Sequence, residues 1–212
     1  MTKFLSIKHR QLFTILLLSH LLSGCALFQS KQTTTLNQNT SSVEQLTHWQ
    51  LKGKLIFKSP EEKFSASLNW KQNDEDSDIR LTTFLGISIL KLKQDKNAAN
   101  LEYDGNQYQA KDAKTLLMRH TRLNWPIEQM SDWIKGVSTT PGKQIKYNEN
   151  KQISQITLLD DTGAPWQLSY PSYQQVTHLG QSYQLPKQIK IKGHDISITI
   201  KVSRWAFEET QK

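Results

Sequence analysis

The sequence predicts a mainly β domain interrupted once by two short helices, and three observations carry that expectation. From about residue 48 onward, apolar and polar residues alternate with period two, the pattern of strands with one buried face. Turn chemistry separates most of the runs, at Asp104-Gly105, Asp161-Thr162-Gly163 and Gly193-His194. Between residues 112 and 135 the period lengthens to that of a helix. A chain of 212 residues suits one ordinary domain plus its ends. Six Trp, six Tyr and seven Phe argue for a packed core even though the mean hydropathy is −0.60.

Taken in order, the first element is an address rather than a structure. Lys3, Lys8 and Arg10 precede the apolar run Leu12 to Leu22, with no acid before it. The run is well short of the ~20 apolar residues a membrane-spanning helix needs, so residues 1–24 read as a secretory signal peptide. Leu22-Ser23-Gly24-Cys25 follows, ending in the single cysteine of the chain. It resembles the bacterial lipobox, which implies cleavage before Cys25 and acylation of its thiol. Lipid on Cys25 would anchor the chain without spanning, since each buried CH₂ contributes about 0.8 kcal/mol. Ala26, where an Asp is the usual inner-membrane retention signal of such lipoproteins, implies the outer membrane. Residues 25–47 then form the acylated Cys and a flexible tether, whose stretch Leu27 to Ser42 is Gln, Thr, Asn and Ser in the main. Such a segment spans roughly 20–25 Å.

Residues 48–212 hold the domain. Leu51, Gly53, Leu55 and Phe57 alternate with Lys52, Lys54 and Lys58, broken by Ile56; Phe64, Ala66, Leu68 and Trp70 alternate with Ser65, Ser67 and Asn69. Further strands are expected over 78–84, 87–93, 100–103, 107–109, 144–147, 153–159, 165–170, 185–192 and 195–205. Spaced as a meander, they suggest a barrel or a strongly curved antiparallel sheet. Helices are expected near 112–122 and 126–135. Asp112 is placed to cap the first, where Leu116, Leu117 and His120 share a face. Pro126 opens the second, where Ile127, Met130, Trp133 and Ile134 share a face and Gly136 ends it. That apolar helical surface covers either plain core or a concave pocket of the kind barrels use for ligands.

Catalytic and metal motifs are missing from the sequence. There is no G-x-S-x-G, P-loop, H-E-x-x-H or C-x-x-C. His48, His120, His178 and His194 lack metal-ligand spacing, and the acid pairs Glu61-Glu62 and Asp160-Asp161 sit in turn contexts. We therefore expect no metal site, and an enzyme stays possible without a candidate nucleophile. After cleavage, 24 basic residues stand against 19 acids, a net charge of +5. In a secreted chain this excess points to acidic envelope partners and not to nucleic acid.

Several of these residues, in order, are similar to a known family. They are Ser67-Leu68-Asn69-Trp70, Arg80-Leu81, Leu85-Gly86, Asp112-Ala113 with Leu116-Leu117, Trp125-Pro126-Ile127, Trp133-Ile134-Lys135-Gly136, Trp166 to Tyr170 with Tyr173, Leu185-Pro186 and Arg204-Trp205. Behind a lipobox, they make the chain resemble the LolB family, outer-membrane lipoproteins that accept other lipoproteins from the periplasmic carrier LolA and insert them into the membrane. The resemblance implies a mainly β fold with α elements: an incomplete, open antiparallel β-barrel with a short helical lid over an apolar cavity for acyl chains, with no cofactor and no catalytic residues. Its partners would be LolA, lipoprotein acyl chains and outer-membrane lipid, for a monomer on the periplasmic face held through Cys25. Leu85 corresponds to the family's protruding leucine, used to hand cargo to the bilayer; Phe84 stands where a proline commonly precedes it and would enter lipid beside it, with Gly86 completing the loop. Leu68, Trp70, Leu81, Met130, Trp133 and Ile134 are the expected cavity lining, with ordinary core as the plain alternative. The Lys52, Lys54 and Lys58 stripe either steers an acidic LolA mouth or lipid phosphates, or is merely solvated. Two other function classes stay open here: a lipid-anchored envelope enzyme acting on glycan, and a structural or assembly lipoprotein.

Overall fold

The computed structural model describes residues 43–121, 127–137, 144–159 and 163–207. Among them, eleven strands form one antiparallel sheet: β1 (His48–Lys58), β2 (Lys63–Asn73), β3 (Asp76–Thr82), β4 (Ser88–Gln94), β5 (Ala99–Tyr103), β6 (Asn106–Ala110), β7 (Gln144–Tyr147), β8 (Ile153–Leu159), β9 (Pro165–His178), β10 (Gln181–Gly193) and β11 (Ile196–Ala206). The order across the sheet is β6-β5-β4-β3-β2-β1-β11-β10-β9-β8-β7. Two meanders thus meet where β1 pairs with β11, and the outer strands β6 and β7 do not pair with each other. The sheet is open, as expected of an incomplete barrel.

Between β6 and β7 in the chain come two helices, α1 (Ala113–Thr121) and α2 (Ile127–Lys135). The route from one edge of the sheet to the other runs across its inner face: α1 packs on β4, β5 and β6, and α2 reaches β10. The alternation in each strand decides which face that is. In β1, Leu51, Leu55 and Phe57 are buried while Lys52, Lys54 and Lys58 are exposed. In β11, Ile198, Ile200 and Val202 are buried on the same side.

Several boundaries differ from the sequence expectation. Residues 43–47, counted there with the tether, belong to the packed domain, since Val43 is buried and Leu46 packs on the core. β9 and β10 continue well past the expected 165–170 and 185–192, as a long hairpin turning at Leu179-Gly180. Pro171 and the polar run around Gln174 and Gln175 break the alternation there, so propensity alone argues against a strand that pairing nonetheless extends. β3 ends at Thr82 and β4 begins at Ser88, which leaves Phe84 and Ile87 in a loop and not in strands. Cys25, the signal peptide and Pro126 lie outside the described residues.

Gly136 ends α2 at a positive φ of 76°. Its N–H donates to the Trp133 carbonyl (3.0 Å) and the Val137 N–H to that of Asp132 (3.1 Å), the paired bonds of a Schellman stop. A Cβ there would sit 3.0 Å from the Tyr173 hydroxyl and 3.2 Å from Pro186 Cγ. Gly136→Ala therefore meets both backbone strain and crowding. Equilibrium urea unfolding is expected to show a loss of more than ~1 kcal/mol, and an unchanged midpoint would contradict this geometry.

Candidate functional site

The inner face is built from matched rows of apolar side chains. Across β2, β3, β4 and β5 the register aligns Leu68, Leu81, Leu90 and Tyr103 in one row and Trp70, Ile79, Leu92 and Leu101 in the next. Every one of these strands places its inward residues at the same parity, so the rows make a continuous apolar wall. Leu55 of β1 and Ile200 of β11 extend it. Opposite stand Leu117 of α1 and Ile127 and Met130 of α2. Wall and helices enclose a cavity of about 270 Å³, with Glu62 and Thr121 as polar groups in its lining.

The helices are held in place by specific bonds. Asp112 caps α1: its carboxylate accepts from the Thr115 N–H (2.7 Å) and the Thr115 hydroxyl (3.0 Å). The backbone bond from Thr115, then the hydroxyl, hold the Asp112 carboxyl below its ordinary value of 3.8. The Gln94 side chain accepts from the Ala113 N–H (2.9 Å), tying the same helix end to β4. At the other end, His120 stacks on Tyr108 of β6 with ring centroids 3.6 Å apart. α2 is tied to β9 by the Tyr170 hydroxyl, which donates to the Trp133 carbonyl (2.9 Å). Burial pushes the Tyr170 phenol well above its ordinary pKa, so it remains a donor at any physiological pH. Lys135, only 6% exposed, donates to the Leu46 carbonyl (3.2 Å) and lies 3.4 Å from Asp132.

The loop between β3 and β4 lies at the strand ends next to the Leu81–Leu90 row. The Thr83 carbonyl accepts from the Gly86 N–H (3.0 Å), and the Thr83 N–H donates to the Ile87 carbonyl (2.8 Å). The Ile87 N–H also reaches the Thr83 hydroxyl (3.1 Å). Gly86 sits at a φ of +84°, a conformation that spares a glycine the steric cost other residues meet. This tight frame leaves its side chains nowhere to go but outward. Phe84 is 92% exposed, Leu85 71% and Ile87 63%.

Residues 47–205 match the family model described as outer membrane lipoprotein LolB. The chain belongs to the LolB family. An outer-membrane lipoprotein LolB of Pseudoalteromonas translucida is 36% identical over 93% of this chain and 95% of its own length. Another LolB, from Shewanella frigidimarina, is 32% identical over 94% of each. Among solved structures, a LolA superfamily protein from Nitrosomonas europaea superimposes with a TM-score of 0.52 at 8% identity, over 82% of this chain and 95% of that one. A DUF1329 family protein from Desulfovibrio piger gives 0.54, also at 8% identity, over 82% and 90%. These two likenesses speak to the fold alone.

Set against the LolB-based expectation, Leu68, Trp70, Leu81 and Met130 lie in the cavity lining. Trp133 and Ile134 do not. Both are buried, but one turn further along α2, where the helix has left the cavity and lies over the β9 and β10 side near Tyr170. Helical spacing puts Met130 and Trp133 on one face without telling where along its length that face changes neighbour. Phe64, Ile79, Leu90 and Tyr103, which are not among the expected lining residues, also face the cavity. Their parity in the strands was the available signal.

Two outcomes follow from this geometry. Met130→Trp fills space in the roof, so affinity for an apolar fluorescent probe is expected to fall at least ~10-fold while stability changes by less than ~3 kcal/mol; titration and urea unfolding measure both. Asp112→Ala should cost about 1 kcal/mol. The wild-type contribution of this cap is fully present above the ordinary carboxylate pKa and fades as pH falls through and below it, so wild type and variant should converge in stability at low pH.

Proposed function

We propose that this LolB-family protein accepts lipoproteins from the carrier LolA by taking their acyl chains into the cavity beneath α1 and α2, and then inserts them into the outer membrane. The carrying observation is the pairing, at neighbouring parts of one sheet, of an apolar cavity with a loop that exposes Phe84, Leu85 and Ile87. The lining offers chains mainly hydrocarbon and ring surface, which suits a ligand recognised by its apolar area. A volume of about 270 Å³ is small beside the ~300–1,000 Å³ of ordinary small-molecule sites. Cargo with two or three chains therefore needs the helices to move outward.

The proposed route needs no nucleotide. Transfer runs downhill if each site along it, carrier, cavity and bilayer, holds the chains more favourably than the one before. Burying a leucine side chain contributes about 1.5–3 kcal/mol. That is too little to anchor a domain and enough to bias how a loop meets a membrane. In this reading the lipid on Cys25 does the anchoring, on the periplasmic face, and the Leu85 tip does the handing over, with Phe84 beside it and Gly86 setting the turn. The protein acts as a monomer and carries out no catalysis. The name shared by the two relatives above, outer-membrane lipoprotein LolB, supports this over a glycan-directed activity.

Leu85→Glu tests the division of labour. Because the side chain touches neither wall nor helix, the variant is expected to fold and to take cargo from LolA as wild type does. Release into liposomes should drop at least ~10-fold, since a carboxylate resists entry into hydrocarbon. Release at the wild-type rate in a reconstituted transfer assay would remove the loop from the mechanism.

A further inference from the structure

The outer face of the sheet is not electrostatically uniform. On β3, β4 and β5 charges meet their opposites: Arg80 donates to Asp78 (2.7 Å), Lys93 lies 3.9 Å from Asp78 across the ladder, and Lys91 reaches Glu102 (2.7 Å). The four strands at the middle of the sheet, β2, β1, β11 and β10, contain no Asp or Glu at all. Outward from them point Lys52, Lys54 and Lys58 of β1, Lys201 and Arg204 of β11, and Lys190 and Lys192 of β10. Register sets Lys52 directly across from Arg204 and Lys54 directly across from Lys201. None of the seven enters an ion pair among the described residues.

Like charges directly opposite one another weaken a sheet. Protection of a sheet edge does not account for them, because the edges are β6 and β7 and these strands are interior. We propose that this face docks on an anionic phospholipid surface. The proposal rests on the reading of Cys25 as an anchor: a domain held by a tether of some 20–25 Å has bilayer phosphates always within reach, at high effective concentration. The texture of the face favours lipid over an acidic protein. Protein interfaces need a desolvated apolar centre, whereas between these bases the outward residues are Ser65, Ser67, Asn69, Thr199 and Ser203, with Ile56 the one apolar exception on β1. A lattice of point charges on short polar ground matches an array of headgroup phosphates.

The test uses the full-length acylated protein in vesicles of phosphatidylethanolamine, with or without phosphatidylglycerol, and reads lysine acetylation by mass spectrometry. On the anionic vesicles at low salt, Lys52, Lys54 and Lys201 should label roughly threefold or more slowly than on neutral ones, and the difference should vanish near 1 M salt, where the screening length falls to ~3 Å. Lys96, exposed on the turn after β4, serves as the unprotected control. The pair Lys54→Gln and Lys201→Gln should abolish the protection of Lys52 without lowering the unfolding midpoint. Equal labelling on both vesicles overturns the proposal. So does protection that depends on adding an acidic protein and ignores lipid charge. Cargo transfer measured in parallel on neutral vesicles separates the two readings: failed transfer with intact protection removes the proposed function and leaves this face, and intact transfer without protection does the reverse.

Discussion

A single sheet of eleven strands has far more apolar inner surface than two nine-residue helices can cover. The rest of the structure follows from that mismatch. Where α2 comes down onto β9 and β10, the contact is closed by Trp133, Ile134 and the Tyr170 bond, and the interior is filled. Where the helices bridge β2 to β5, the wall of leucines has no matching layer opposite, and a void remains. Most domains remove such a void by adding a layer. In this chain the helices are held at their ends, through Asp112, Gln94, His120, Lys135 and Gly136, and the void beneath them remains.

The same economy of cover explains the two kinds of surface the domain shows. An open sheet leaves its outer face to solvent, so its outward residues are free to carry charge, and the central strands carry one sign only. The β3–β4 loop, by contrast, spends three apolar side chains on water in a turn too tight to fold them back. Exposed aromatic and aliphatic groups on a rigid turn are costly unless they meet an apolar phase. Charge spread over a face and grease gathered at a tip are separate devices, and in the proposed reading they address different depths of a bilayer.

Much of this was legible in the residues. Strand parity placed Leu68, Trp70 and Leu81 on the inner face, and helical spacing placed Met130 over them. What periodicity cannot supply is the distance between layers, so whether those residues meet a filled core or an empty space was undecided until the helix positions were known. Trp133 and Ile134 share Met130's stripe yet serve as packing, because α2 changes neighbours midway along its length. The hairpin of β9 and β10 was underestimated because Pro171 and glutamines obscure the alternation that pairing imposes. Leu85 is a different case: its importance came from family resemblance, while its outward direction came from the bonds of Thr83 and Gly86, which no count of apolar residues reveals.

At the far end of the wall, Trp49 packs against both Trp70 and Trp205, with ring centroids 5.5 Å apart in each case. The Trp205 indole donates to the Pro186 carbonyl, while that of Trp49 is buried without an acceptor. Trp70 belongs at once to this trio and to the cavity lining. Three chromophores in contact exchange excitation, and one of them borders the cavity. If chains enter there as proposed, the molecule carries its own optical gauge of occupancy, readable in ultraviolet emission with no dye attached.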